Sequence, residues 1–371
     1  VTREIAIDAA GGAVVAALLV DGRPTDILAE PRAAPGVTGA VWLGRVRRID
    51  RQAGAVFVDL GLARDGFLNI AAAERGSGPA PAEGRPMLVQ ATGEPREAKG
   101  PPLTRDIALP GRWLVHVPLS PGVAVARRLG EAARRAWRER LGAVADGWIV
   151  RTAGAGAAPD AVLAEAERLH AEWQALSRAA AAAAPDAPVP LRPAPGVAER
   201  MILDAPDAAA IRVGDADLHR ALAARLRRAL PDLAARLARE PVDVVEWLPP
   251  LLAPEVALPS GGRLTVEQTR ALTAIDVDTG AARSALPTDL EAAAEAARQL
   301  RLRNIGGLVV IDFVSEAPAA RSQVLDRLRA ALKGDPAQVR LGGATALGLV
   351  ELARERRGFG LAEATRSGGG L

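Results

Sequence analysis

The chain has 371 residues, enough for two or three domains with cores of their own, and 49% of it is hydrophobic. No window approaches the ~20 uninterrupted apolar residues of a membrane span, and the charged start "VTREIAID" lacks the apolar centre of an export signal. Zero cysteines exclude disulfides and thiolate metal sites, and a formal charge of +3 does not by itself mark a nucleic-acid binder. These properties fit a cytoplasmic protein. The basic residues are nearly all arginine, Lys99 and Lys333 being the only lysines, a bias that a high-GC genome explains together with the alanine excess.

Residues 1–31 alternate apolar runs with Gly and Asp-Gly punctuation, which predicts a short antiparallel meander, and "PRAAPG" at 31–36 reads as a linker. The stretch 38–108 contains "GAVWLGRVRRID", "GAVFVDLG", "DGFLNI" and "RPMLVQAT" joined by glycine-rich corners, the pattern of a small β-barrel. Further strands are predicted at 112–118 and 147–152, with a basic helix from Arg127 to Leu141 between them. A long alanine-rich helix follows over roughly 159–184. "APDAPVPLRPAPG" at 184–196 has the proline density of an ordered linker. From about 197 to 250 the pattern predicts a short strand, an Arg/Leu helix from Asp217 to Leu230 and another helix near 231–239.

The last third is the most readable. "SGG" at 260–262 predicts a hairpin turn, followed by the strands "RLTVEQ" and "ALTAIDVDTG". Thr288 and Glu291 have the spacing of a capping box, opening a helix that runs to about Asn304 and stops before Gly306-Gly307. Strand "LVVIDFVSE" is continuously apolar up to Asp312, as a buried parallel strand is, and a final helix spans about 319–333. Strand, helix, strand is a βαβ unit, which commonly makes its two strands parallel neighbours. Asp276 and Asp312 then lie toward the carboxyl ends of those strands, the edge at which open α/β sheets bind ligands. Asp278, two residues after Asp276, projects to the same side. Without histidine or cysteine nearby, an all-oxygen site suits Mg²⁺ or Mn²⁺. The alternative is structural, with Asp276 capping a strand end and Asp312 paired with an arginine. Taken alone, the pattern implies a metal site suited to phosphoryl chemistry.

The stretches "LPSGGRLTVEQTRALTAIDVDTG" and "TDLEAAAEAARQLRLRNIGGLVVIDFV" resemble the catalytic core of the bacterial ribonuclease E/G family. The likeness extends back through "GWIVRTAGAG" and "VWLGRVRRIDRQAGAVFVDLGLARDGFL", in order, over essentially the whole chain. The resemblance implies a mixed α/β architecture of five parts. A ribonuclease H-like subdomain is split between 1–37 and 197–257. An S1 barrel at 38–108, a 5′ sensor at 109–196 and a deoxyribonuclease I-like catalytic subdomain at 258–371 complete it. It implies an endoribonuclease that cuts single-stranded RNA with Mg²⁺, or Mn²⁺ in its place, through metal-activated water, leaving 5′-phosphate and 3′-hydroxyl ends. The family's magnesium-binding aspartates fall on Asp276 and Asp312, and its following asparagine falls on Asp278. Phe57 and Phe67 match positions that stack on RNA bases, where filling a barrel core is the structural alternative. Lys99, Arg96 and Arg105 would contact backbone phosphates, and Arg151 with Thr152 match the pair that holds an RNA 5′-monophosphate.

Four departures from the family pattern stand out. Asp278 replaces an asparagine and adds a third negative charge, which makes it a candidate further ligand. Arg270 occupies a position usually acidic and is a candidate compensation for Asp278. The absence of cysteine removes the family's zinc link, so a homodimer is left open but a zinc-linked one is not expected. The chain stops at "ATRSGGGL", so a scaffold tail for degradosome assembly is not expected. Arg354 and Arg356 are candidates for RNA contact or for helix capping. Two other readings use the same residues: an RNA-binding scaffold that has lost catalysis, and a deoxyribonuclease or other phosphodiesterase on the same metal site.

Overall fold

A computed structural model of the chain describes residues 1–75, 79–96, 99–125, 130–184, 187–282, 284–315 and 317–366. It opens with three antiparallel strands, β1 (Arg3–Ala10), β2 (Ala13–Val20) and β3 (Arg23–Pro31), joined by two-residue turns. Gly-Gly and Asp-Gly make those turns, with Gly11, Gly12, Asp21 and Gly22 all at positive φ. The meander predicted for 1–31 is therefore present. The chain divides into two units, Val1–Pro35 with the residues from Val197 onward, and Gly36–Gly196.

In the Gly36–Gly196 unit, β4 (Val41–Asp50), β5 (Ala55–Asp59), β6 (Gly66–Asn69), β7 (Pro86–Ala91) and β8 (Leu103–Thr104) form a nearly closed, barrel-like sheet in the order β6-β5-β4-β7-β8, with the short helix α1 (Ile70–Arg75) following β6. A bridge from Phe67 to Pro102 draws β6 toward β8. Val46, Val56, Val58, Leu68 and Val89 alternate into its core. A second sheet contains β9 (Leu109–Pro110), β10 (Leu114–His116), β11 (Val123–Val125) and β12 (Trp148–Val150), with helices α2 (Glu131–Gly142) and α3 (Pro159–Ala182). The predicted start of α2 at 127–129 lies outside the described residues. Residues 189–192, expected to be linker, instead form strand β13 (Val189–Arg192), antiparallel to β4. The register shift between Pro190 and Arg192 marks an irregular end strand, a place where proline is tolerated.

His116 on β10 is fully buried, its ring stacked on Trp148 at 4.1 Å and its Nδ1 2.9 Å from the Gly147 carbonyl oxygen. Burial pushes its pKa below the ordinary histidine value and His170 adds to this, against the Gly147 bond. The unfolded chain therefore takes up this proton first, so the unit keeps its full stability above about pH 6.5 and loses stability as pH falls below it. Urea unfolding is expected to show a lower midpoint near pH 5.5 than near pH 7.5. His116→Phe should shrink that difference.

The first unit resumes with α4 (Val197–Asp204), β14 (Ala210–Val213), α5 (Ala216–Ala229), α6 (Pro231–Ala234), β15 (Leu237–Arg239) and α7 (Leu248–Leu252). Helix α4 was not anticipated, and the helix expected near 231–239 is one short turn followed by a strand. Strands β14 and β15 add in parallel to β1, giving the order β15-β14-β1-β2-β3. Ile5 and Ile7 pack with α4 to α6 on one face, while Ala6, Val15 and Ile27 pack with Leu248, Leu302 and Leu361 on the other.

The remainder comprises β16 (Glu255–Ala257), β17 (Arg263–Gln268), β18 (Leu272–Asp278), α8 (Ala285–Leu302), β19 (Gly307–Asp312), α9 (Pro318–Leu332), β20 (Val339–Ala344), β21 (Val350–Arg354) and α10 (Leu361–Arg366). Its sheet runs β16-β17-β18-β19-β21-β20. Helices α8 and α9 cover one face, where Ala292, Ala293, Ala296 and Ala297 let α8 lie close over Ile275, Val309 and Ile311. The opposite face is open: Leu308 is 59% exposed, so β19 alternates rather than being buried on both sides. The predicted capping box does not form. Helix α8 starts after Ser284, placing Thr288 one turn inside with its hydroxyl on the Ser284 carbonyl, and Glu291 accepts the Ser260 N–H instead. Arg301 of α8 grips Asp26 of β3 with two bonds of 2.7 and 2.5 Å, and that bonding raises the Arg301 pKa. Among the described residues, no helix is long and apolar enough to cross a membrane.

Candidate active site

Strands β18 and β19 are parallel neighbours, and their register sets Asp276 directly opposite Asp312. The two-residue period sends Ile275, Val277 and Ile311 into the core and both aspartates to the open face, where they are exposed. Adjacent strands lie ~4.8 Å apart, so the carboxylates share one small region at the strands' carboxyl ends. Among the described residues neither carboxylate has a hydrogen-bond or ion-pair partner. Two like charges so placed repel unless a cation lies between them. The donor set fits a hard ion that keeps several waters and uses one or two carboxylates. No group of three or more His, Asp or Glu suited to a metal exists among the described residues.

Asp278 does not join the pair. One carboxylate oxygen accepts the Gly280 N–H at 2.6 Å and the other accepts from Arg263 at 2.8 Å, its cross-strand partner on β17. These two contacts, the Gly280 bond foremost, hold its pKa below the usual carboxylate value. Its counter-charge is therefore Arg263. Arg270, the candidate compensation, sits in the turn between β17 and β18, at the other end of a seven-residue strand and thus about 20 Å away.

Behind the pair stands Asp289, wholly buried on α8, which sequence reasoning missed. Its oxygens accept the N–H groups of Val314 and Ser315 at 3.0 and 2.7 Å, fixing the turn that leaves Asp312. Asp289→Ala strands both donors and should cost about 1–3 kcal/mol by urea unfolding, with Asp289→Asn recovering part of the loss. Only a conflict between a carboxylate and the core-facing side of an alanine-rich helix could have flagged it.

In the barrel, Phe57 and Phe67 are cross-strand partners, half-buried and facing away from the core that Val56, Val58 and Leu68 fill. The core-filling alternative is thereby removed. Arg48 lies 4.6 Å over the Phe57 ring. Arg96 and Lys99 exchange backbone bonds of 2.9 and 2.7 Å, with Lys99 exposed. Arg105 differs from expectation. It is 6% exposed, donates to the Ala73 carbonyl at 2.5 Å, and burial lowers its pKa, so its guanidinium serves the barrel rather than a surface phosphate.

Arg151 follows β12 and donates to the Gly111 carbonyl at 2.8 Å, while Thr152 is exposed and opens a 3₁₀ turn over Thr152–Gly156. The facing loop is held by buried Glu165, which accepts the N–H groups of Arg112, Trp113 and Leu114 at 2.7, 2.8 and 2.9 Å. Arg354 is not a surface contact either: it is 3% exposed and bonded to Asp335 and the Ile305 carbonyl. Arg356 lies over Gly306 and Gly307, the latter at φ +102, where any Cβ would collide with it.

An α/β sheet with paired carboxylates at its carboxyl edge, in a chain that also carries a barrel with paired surface aromatics, is the equipment of a hydrolase acting on nucleic acid. The ribonuclease E/G family profile matches residues 108–357. The chain is 30% identical to Ribonuclease G of Escherichia coli over 96% of its own length and 80% of that protein's. It is 33% identical to Ribonuclease E of Nostoc sp. over 88% of this chain and 52% of that protein, and 31% identical to Ribonuclease E of Haemophilus influenzae over 94% and 41%. The chain belongs to the ribonuclease E/G family, whose members are endoribonucleases and hence hydrolases.

Proposed function

We propose that the chain is a Mg²⁺-dependent endoribonuclease that cleaves single-stranded RNA in RNA processing and decay, leaving 5′-phosphate and 3′-hydroxyl ends. The observation that carries this reading is the in-register pair of Asp276 and Asp312, exposed and unpartnered among the described residues at the sheet's carboxyl edge. These two would hold the ion, Mg²⁺ or Mn²⁺. When bound, it supplies charge neutralisation at a phosphoryl oxygen and acidifies a water ligand. Asp278 keeps Arg263 at the end of the same strands, leaving that guanidinium further N–H donors for a phosphate. Asp289 holds the turn after Asp312, so the second carboxylate keeps its place.

Phe57 and Phe67 would stack successive bases, with Lys99 and Arg96 on the backbone; Arg105 is dropped from this set. Arg151 and Thr152 would receive a 5′-monophosphate, on a loop that Glu165 holds in place. In this reading residues 38–108 serve as an S1 barrel, 109–196 as the 5′ sensor, and 1–37 with 197–257 as a ribonuclease H-like frame. Residues 258–371 serve as the deoxyribonuclease I-like catalytic part. A cytoplasmic location and a zinc-free homodimer belong to the same proposal. Phe57→Ala is expected to weaken binding of a single-stranded A/U-rich RNA by ~1–3 kcal/mol, roughly 5- to 150-fold, read by fluorescence anisotropy.

The test is cleavage of a 5′-monophosphorylated A/U-rich RNA in Mg²⁺ or Mn²⁺, abolished by chelation. The engagement of Asp278 by Arg263 and Gly280 favours the second reading, a scaffold that binds RNA without cutting it. RNA binding that survives chelation, with no cleavage in any divalent ion, selects that scaffold. A preference for double-stranded DNA would point to the deoxyribonuclease reading.

A further inference from the structure

At the end of the catalytic sheet away from Asp276 and Asp312, a cavity of about 380 Å³ opens beside α7, β17 and α10. Leu252, Val266 and Ile305 form its apolar walls, and Gln268 and Arg366 stand among its polar lining. Arg303 also lines it, although that residue is only 8% exposed. Arg303 caps the end of α8, where its backbone N–H donates to the Gln299 carbonyl and its own carbonyl accepts the Leu361 N–H.

Among the described residues no acid forms an ion pair with Arg303. Nε donates to the neutral amide oxygen of Gln299 at 2.6 Å, and Gln299 in turn donates to Glu295 at 2.7 Å. Glu295 is already occupied by Arg298 through bonds of 2.8 and 2.9 Å. Nη2 of Arg303 is buried without a hydrogen-bond partner, and among the described residues the guanidinium forms no ion pair. Burial lowers its pKa, with Glu295 acting weakly against that. An arginine stays protonated at any physiological pH, so a buried charge with one unmet donor belongs to a residue that lines an open cavity of mixed polar and aliphatic walls. Buried charge is tolerated when a partner completes it.

We propose that this cavity binds a small organic anion, a carboxylate or phosphate head on an aliphatic body, with the head on Arg303 and the body against Leu252, Val266 and Ile305. Arg366 at the mouth adds a second positive charge. Strand β19 separates the cavity from Asp312 by six residues, about 20 Å, so the ligand is an effector and not a substrate. The site stands whether or not the RNA-cleavage reading does.

The experiment uses the whole chain and titration calorimetry with octanoate and octyl phosphate, the two heads distinguishing carboxylate from phosphate. Octan-1-ol supplies the body alone and inorganic phosphate the head alone. One equivalent of at least one amphiphilic anion should bind, with octan-1-ol and phosphate each at least about tenfold weaker. Arg303→Met should weaken binding by about tenfold or more, and Ala362→Phe, which puts a ring into the cavity, should weaken it at least as much. RNA cleavage without ligand is expected to be unchanged in both variants. Absence of saturable binding by either anion overturns the proposal. So does octan-1-ol binding as tightly as octanoate, or affinity unchanged in Ala362→Phe, a variant that keeps the test decisive if Arg303→Met does not fold.

Discussion

Asp312→Asn is expected to lower the RNA cleavage rate by about 10³-fold or more while leaving RNA affinity within about threefold of the parent. The substitution keeps shape and removes one of two carboxylates that face each other in register at the strand ends. A hard cation held by two carboxylates and waters loses half of its protein charge. Several kcal/mol of transition-state stabilisation go with it, and about 4 kcal/mol is a factor near 10³. Because the aspartate is exposed and makes no bond among the described residues, stability should not fall. Removing the mutual repulsion should leave it unchanged or slightly raised. Single-turnover cleavage, anisotropy and urea unfolding on the same protein separate these effects. A variant that cuts as fast as the parent would overturn the assignment.

The largest stability effect is expected at Asp335→Asn, about 3–5 kcal/mol by urea unfolding. Arg354 and Asp335 form a bidentate pair at 2.7 and 2.9 Å, with side chains 2% and 0% exposed, and a third bond ties Arg354 to the Ile305 carbonyl at 2.8 Å. Taking away the anion leaves a guanidinium that can neither deprotonate nor reach water. The pair as a whole has little net worth, because desolvation offsets its attraction. The double change Arg354→Met with Asp335→Leu should therefore recover most of the loss. A single substitution as mild as a surface one, below about 1 kcal/mol, would show the pair to be solvated.

The βαβ unit was legible because its signals are local. Apolar runs ending in acids, a helix of fitting length and a glycine stop place Asp276 and Asp312 without help from distant residues. The misreadings share a different cause. Residues 189–192 look like linker because proline is a poor strand former. They are a strand only because β4, far earlier in the chain, offers its edge. The Thr288–Glu291 spacing imitates a cap, but the helix starts a turn earlier and Glu291 serves the hairpin at Ser260. Arg105 and Arg354 look like surface cations because a long side chain's destination has no periodic signature.

The strand–helix–strand order of the last third, the two carboxylates at the ends of its strands and the family resemblance were determined by the sequence by itself. They rest on spacing and residue type, which local sterics convert into direction. Only the tertiary structure decided which charges meet: Asp278 with Arg263, Asp335 with Arg354, Asp289 with the turn after Asp312, and Arg303 with no acid among the described residues. Those pairings join residues on different elements. Their energies depend on burial and on separations of a few ångströms, which the order of residues along the chain does not carry.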